Sequence, residues 1–158
     1  MFSNITTTLS NMNYLGIDYG RKRIGLSFGD NDLRIAVPIT PIIVRSDADT
    51  LIQLQLVINQ RKVNEIIIGY PYNLDGSVSD TAREVDRFIS LLEARFSLPV
   101  HRIDEQLTSY QASSSNDIFL KKSQKSLKKR IEKRRSATLD SQSAALILQD
   151  FLDNFGCF

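Results

Sequence analysis

The stretch Tyr14-Leu15-Gly16-Ile17-Asp18-Tyr19-Gly20 decides how the rest of the chain is read. Apolar residues run up to a carboxylate and stop at a glycine, the pattern of a buried strand that ends in a turn. Strand alternation places Leu15, Ile17 and Tyr19 on one face and Tyr14, Gly16 and Asp18 on the other. A carboxylate at the last position of a buried strand is costly unless something satisfies it. The simplest role for Asp18 is to cap the following turn, Gly20-Arg21-Lys22-Arg23. A chemical role needs partners from elsewhere in the chain.

Outward from this strand, Gly20 turns the chain into a second strand, Arg23 to Phe28, ending at Gly29-Asp30. A third is expected within Ala36 to Val44, where Pro38 and Pro41 suit an edge better than a centre. The short connections make these three an antiparallel meander. The period then changes: Asp49 or Thr50 can cap a helix that carries Leu51, Leu54 and Ile58 at helical spacing. Glu65-Ile66-Ile67-Ile68-Gly69 reads as a strand covered on both faces. Tyr70 to Val78 is a loop rich in turn formers, either a plain connection or the wall of a substrate groove. A second helix runs from about Ser79 to Phe96, Val100 to Asp104 is the next strand, and Thr108 can cap a weak third helix. Thr138 starts a last helix through Leu152. Right-handed crossovers place the two later strands parallel to the first and beside it. The expected fold is therefore α/β: a five-stranded mixed sheet, three antiparallel strands then two parallel, with flanking helices. Residues 14–158 form one domain behind a flexible N-terminal extension, residues 1–13.

The length of 158 residues and a composition of 42% hydrophobic and 24% charged residues fit a single soluble globular domain. No apolar run is long enough to span a bilayer, and Met1 to Asn13 lacks the basic start and apolar centre of a signal peptide. The single cysteine, Cys157, excludes an internal disulfide; together these features predict a cytoplasmic protein that does not engage membranes. With His101 the only histidine, no Cys/His zinc pattern exists. The net charge of +2 conceals a strong asymmetry. Lys121 to Arg135 holds nine basic residues against Glu132, +8 in all, which leaves −6 for the rest of the chain. Such a run is an electrostatic footprint for a polyanion, centred on Lys128, Lys129 and Arg130. Its like charges, with Leu127 and Ile131 the only apolar residues to anchor them, predict a poorly ordered segment.

Ligand chemistry in α/β sheets gathers at the carboxyl ends of the strands. Asp18 ends the first strand, and Asp104 with Glu105 ends the last. Asp140 joins them through helical spacing: it leads the face of Ala144, Ile147 and Phe151, which must pack on the sheet. An acid in a first turn also suits the helix dipole, but this one points inward. Three converging carboxylates with no histidine, cysteine or arginine between them repel one another. A hard divalent cation with oxygen ligands, Mg²⁺ or Mn²⁺, resolves that repulsion, with Asp18, Asp140 and either Asp104 or Glu105 as ligands.

Four segments together resemble the YqgF/RuvX family. They are Ile17-Asp18-Tyr19-Gly20 with Gly25; Ile67 through Ser77; Asp104-Glu105-Gln106-Leu107-Thr108; and Leu139-Asp140-Ser141 with Ala144-Ala145. The match runs from about Tyr14 to Leu152. The resemblance implies an RNase H-like fold similar to RuvC resolvases, and a nuclease of precursor 16S ribosomal RNA in ribosome biogenesis. It also implies two metal ions held by Asp18, Glu105 and Asp140, which would be the catalytic residues. Arg21, Lys22, Arg83 and the basic segment would then hold the backbone of precursor rRNA or branched DNA, with the protein acting as a monomer or homodimer. The chain departs from the family pattern in having Gln106 where Arg is usual, and Ala137-Thr138 where a lysine often precedes the aspartate. Three other functions fit the same residues: a Holliday junction resolvase, a non-catalytic RNA-binding ribosome-assembly factor, and an actin- or sugar-kinase-like ATPase. The last needs two domains, and the length supplies one.

Overall fold

The computed structural model describes residues 10–105 and 128–155, with the side chains of residues 128–140 outside the description. Its elements are β1 (Asn13–Asp18), β2 (Arg23–Asp30), β3 (Val37–Ile43), α1 (Asp47–Arg61), β4 (Glu65–Tyr70), α2 (Asp80–Arg95), β5 (Val100–Asp104) and α3 (Lys128–Asn154). The five strands form one sheet in the order β3-β2-β1-β4-β5. β1 is central: antiparallel to β2, with Asp18 opposite Gly25, and parallel to β4, with Ile17 beside Ile68. β5 lies parallel to β4, with Tyr70 beside Asp104. The expected meander and the two parallel strands are thus on opposite sides of β1.

Alternation along the strands divides the core in two. Leu15, Ile17, Ile66 and Ile68 face a layer built from Leu54 and Ile58 of α1 and Val85, Phe88, Ile89 and Leu92 of α2. Tyr14, Ile67 and Ile103 face Ile147, Leu148, Phe151 and Leu152 of α3. Each such side chain taken out of water contributes about 1.5–3 kcal/mol, which fixes the register of every strand. Gly16 lets α3 approach β1: an added Cβ would lie 2.8 Å from the Ala144 carbonyl and from Leu148 Cβ. In the same contact the buried Ser27 hydroxyl donates to the Ala144 carbonyl at 2.7 Å. His101, the lone histidine, sits 2.8 Å from Glu65 Oε2 and stacks on Phe151, so it belongs to the far end of the sheet and to packing.

The elements differ from the sequence reading at three points. α1 is capped by Ser46, whose hydroxyl accepts from the Asp49 N–H at 3.1 Å, not by Asp49 or Thr50. Thr50 instead points into the core, and its hydroxyl has no partner among the described residues. Among the described residues the last helix already runs from Lys128, well before Thr138. Lysine, arginine, glutamate and alanine are strong helix formers, and no glycine or proline interrupts Lys128 to Thr138, so local propensity carries the helix through the charges. The part of the basic run from Lys128 is therefore helical where a poorly ordered segment was expected; residues 121–127, and the helix expected from Thr108, lie outside the described residues. At the other end of the chain, the polar stretch before Tyr14 joins the fold at its last residues. Asn13 donates through Nδ2 to the Arg61 and Lys62 carbonyls, and Met12 N–H donates to Asn31 Oδ1.

Candidate active site

β1 leaves the sheet at Asp18 and β5 leaves it at Asp104, with the β4 end between them. Alternation on β5 sends Ile103 to the α3 side of the sheet. Asp18 shares that side with Gly16 and Tyr14. The carboxyl of Glu105, the first residue past β5, follows the same side and reaches back over β4 at Gly69. An added Cβ on Gly69 would lie 2.8 Å from Glu105 Oε1, 2.9 Å from its Cγ and 2.6 Å from Ile147 Cδ1. The missing side chain is what lets a carboxylate from β5 cross a whole strand. It arrives within hydrogen-bonding contact of the Asp18 carboxyl.

Burial raises the affinity of Glu105 for its proton above that of an ordinary glutamate; the Asp18 contact opposes this and the nearby Asp104 charge adds to it. Two carboxyl groups in contact need either a shared proton or a cation between them. Their oxygens are hard ligands, so the donor set fits Mg²⁺ or Mn²⁺ and not a soft metal. Among the described residues no three carboxylates, histidines or cysteines gather closely enough to hold a metal by themselves. By itself the pair offers two carboxylates.

The register of α3 shows where position 140 lies. Phe151 packs edge-on against Tyr14 at the start of β1, at 5.2 Å between ring centres, and Ala144 lies beside Gly16. The helix thus runs against the direction of β1, and the turn before Ala144 carries position 140 toward the Asp18 end. Ser141, directly after it, is buried and donates to the Ile39 carbonyl at 2.7 Å. The Asp140 side chain lies outside the described residues, as do those of Lys128, Lys129 and Arg130 and the whole of Gln106.

The cations of the β1–β2 turn line an open depression formed by Gly20, Arg21, Lys22 and Arg23, directly after Asp18. Arg21 is held there by a two-pronged ion pair to Glu84 near the start of α2, which lowers the proton affinity of that glutamate. Arg83 on the same helix pairs with Asp80 at 3.2 Å. Lys22 is exposed, and its carbonyl accepts from Val44 N–H. Of the residues expected at the site, the structure brings together Asp18 and Glu105, with Asp104 near enough to raise the Glu105 pKa, whereas Arg21 turns to Glu84 of α2, the helix that packs on the other face of the sheet. Gly69 is the functional position whose role the sequence reading did not identify; a lone glycine ending an all-isoleucine strand was its signal.

The family model described as "RuvX: Holliday junction resolvase" matches residues 12–154. The chain belongs to the RuvX family. A relative from Opitutus terrae, named "Putative pre-16S rRNA nuclease", is 37% identical over 143 residues, covering 90% of this chain and 92% of the relative. One of the same name from Thermosynechococcus vestitus is 39% identical over 139 residues, covering 88% and 86%. Among solved structures, Fowlpox virus resolvase in complex with Holliday junction DNA has a TM-score of 0.54 at 12% identity, covering 90% of this chain and 97% of the resolvase. T. thermophilus RuvC with a Holliday junction substrate has 0.52 at 11% identity, covering 89% and 93%. At such identity these two show the fold alone. It is RNase H-like, as this RuvX-family sequence implied.

Proposed function

We propose that this RuvX-family chain is a divalent-metal-dependent nuclease, hydrolysing phosphodiester bonds of precursor 16S rRNA in the cytoplasm during ribosome biogenesis. The observation that carries the reading is the contact of the Asp18 and Glu105 carboxyl groups across Gly69, at the carboxyl ends of the strands. The substrate is taken from the names of the relatives. Asp18, Glu105 and Asp140 would hold the metal, with Asp104 as an outer neighbour; a bound pair supplies an activated water and stabilises the leaving oxygen of the phosphodiester. The protein's own groups do the rest. The two acids and the strand ends fix the site, while Lys22 and Arg21 on the turn and Arg83 on α2 neutralise the substrate backbone. Arg21 is paired with Glu84 and would exchange that partner for a phosphate. Lys128, Lys129 and Arg130 belong to the same helix as Asp140 and would add positive charge for the backbone. No helix among the described residues is long and apolar enough to cross a membrane.

The family description favours a second substrate, a branched DNA junction. The test is Mg²⁺- or Mn²⁺-dependent cleavage of a panel of precursor rRNA fragments and four-way DNA junctions, with Asp18→Asn as the control. Wild-type cleavage of one substrate that vanishes in Asp18→Asn, with unchanged folding, supports the reading and chooses between the two. Cleavage that survives in Asp18→Asn overturns the carboxylate mechanism.

A further inference from the structure

The segment between β4 and α2, Pro71 to Ser79, belongs to neither half of the core. Its sequence gives it stiffness. The Ser77 N–H and hydroxyl both donate to Asp75 Oδ1, at 2.8 and 2.6 Å, and Asn73 Nδ2 donates to Ser77 Oγ at 3.0 Å. The Gly76 N–H donates to the Asn73 carbonyl, and Gly76 has φ of 77°, a conformation glycine adopts without strain. The root is equally fixed. Tyr72 packs on Tyr70 at 4.6 Å between ring centres, the Tyr70 hydroxyl donates to Asp86, and the Arg102 guanidinium lies over the Tyr70 ring.

This scaffold holds apolar side chains out in water. Leu74 at the tip is 97% exposed, with Tyr72 at 44% and Val78 at 51% beside it. A single exposed leucine on a surface is ordinary. A leucine held out by hydrogen bonds on both sides of it, and flanked by two more apolar residues, is a shaped feature. Its place gives it a use: the loop leaves from the carboxyl end of β4, between the ends of β1 and β5 that bring Asp18 and Glu105 together.

We infer that this loop is a wedge, with Leu74 and Tyr72 packing against an unstacked base step of the nucleic acid being cut. The inference rests on the nuclease reading and adds the shape of its substrate. Asp75 at the tip carries a negative charge, so the loop repels phosphates and cannot serve as a backbone clamp. What remains attractive to it is the apolar face or edge of a base. Apolar wedges open base steps, and aromatic rings stack on bases without reading their sequence. Continuous duplex exposes that face only after a step is unstacked at a cost of about a few kcal/mol, whereas a single strand, a strand end or a branch point offers it open. The preferred substrate therefore has an unpaired or opened step within one loop's reach of the scissile phosphate.

The experiment uses 2-aminopurine, whose fluorescence rises on unstacking, placed at successive positions of single-stranded, branched and fully paired oligonucleotides. Binding is followed by fluorescence and by anisotropy in Asp18→Asn, which holds substrate without cutting it. Adding Leu74→Ser, at a position too exposed to affect folding, should abolish most of the fluorescence rise. It should also weaken binding of the open substrates about tenfold, with fully paired duplex unaffected. Tyr72→Ala should act in the same direction. Equal fluorescence and equal affinities with and without Leu74→Ser overturn the wedge while leaving the nuclease reading in place. Absence of any nucleic-acid binding overturns both.

Discussion

At the scale of single residues, the site depends on an atom group that is not there. Gly69 has ordinary strand conformation, since Gly76 is the glycine with positive φ among the described residues, so what Gly69 supplies is space. Gly69→Ala would push Glu105 away from Asp18 or displace Ile147, at a cost of about 1–3 kcal/mol. The decisive readout is kcat, where a carboxylate moved by about 1 Å costs on the order of a hundredfold. Gly16→Ala provides the contrast. It meets the Ser27 hydroxyl, the Ala144 carbonyl and Leu148, away from the Glu105 carboxyl, so denaturant unfolding should show at least as large a loss of stability while kcat falls less than in Gly69→Ala. Wild-type kcat in Gly69→Ala would mean that Glu105 does not need its observed position. Period-two alternation in the sequence showed which face Asp18 occupies, because that follows from the chain's own geometry. It could not show that Glu105 reaches over a neighbouring strand, since that depends on a gap between two segments far apart in sequence.

At the scale of elements, strands and the amphipathic α2 were legible because burial imposes a period on their residues. Ser79 caps α2 by accepting from Ala82 N–H at 3.1 Å, and Ser79→Ala should cost about 1 kcal/mol, measured as a shift in the unfolding midpoint. The two ends that sequence reading misplaced, at Ser46 and Lys128, are set by competing local signals. Ser46 is followed by two acids that look equally able to cap, and only the extended backbone at Ser46 decides between them. At α3 helix propensity outweighs the repulsion of like charges. That outcome changes how the basic run would act: Lys128, Lys129 and Arg130 belong to a helix that continues without a break into the residues packed on β1. Replacing all three with alanine preserves helix formers and should leave Tm within a few degrees. If each touches a phosphate of a single strand, the slope of log affinity against log salt should flatten by roughly two units, equally for all sequences. An unchanged slope would make the run a solubility feature.

At the scale of the molecule, the chain folds around a pair of like charges, and stability and function therefore oppose each other at the site. The raised proton affinity of Glu105 sets the sign. The folded state holds this proton more tightly than the unfolded chain, so its contribution to stability is full at acid pH, below the ordinary glutamate value. It is lost as pH rises through the raised folded value. Without divalent metal, Glu105→Gln should therefore be more stable than wild type near neutral pH, and the gap should close on acidification. On the proposed reading metal should reverse the order, because it would bind the deprotonated pair in the folded state and find no matching site in the unfolded chain. At a hundredfold excess over its Kd, Mg²⁺ or Mn²⁺ should add about 2.7 kcal/mol to wild type. For a chain of this size that raises Tm by about 5–10 °C. Glu105→Gln and Asp18→Asn should gain far less, and the wild-type gain should shrink in acid as protons compete for the same oxygens. Thermal melts of the three proteins with EDTA and with each metal, at acid and neutral pH, give the full comparison. Equal metal-induced shifts in wild type and both variants would place the cation elsewhere on the molecule and remove Asp18 and Glu105 as its ligands.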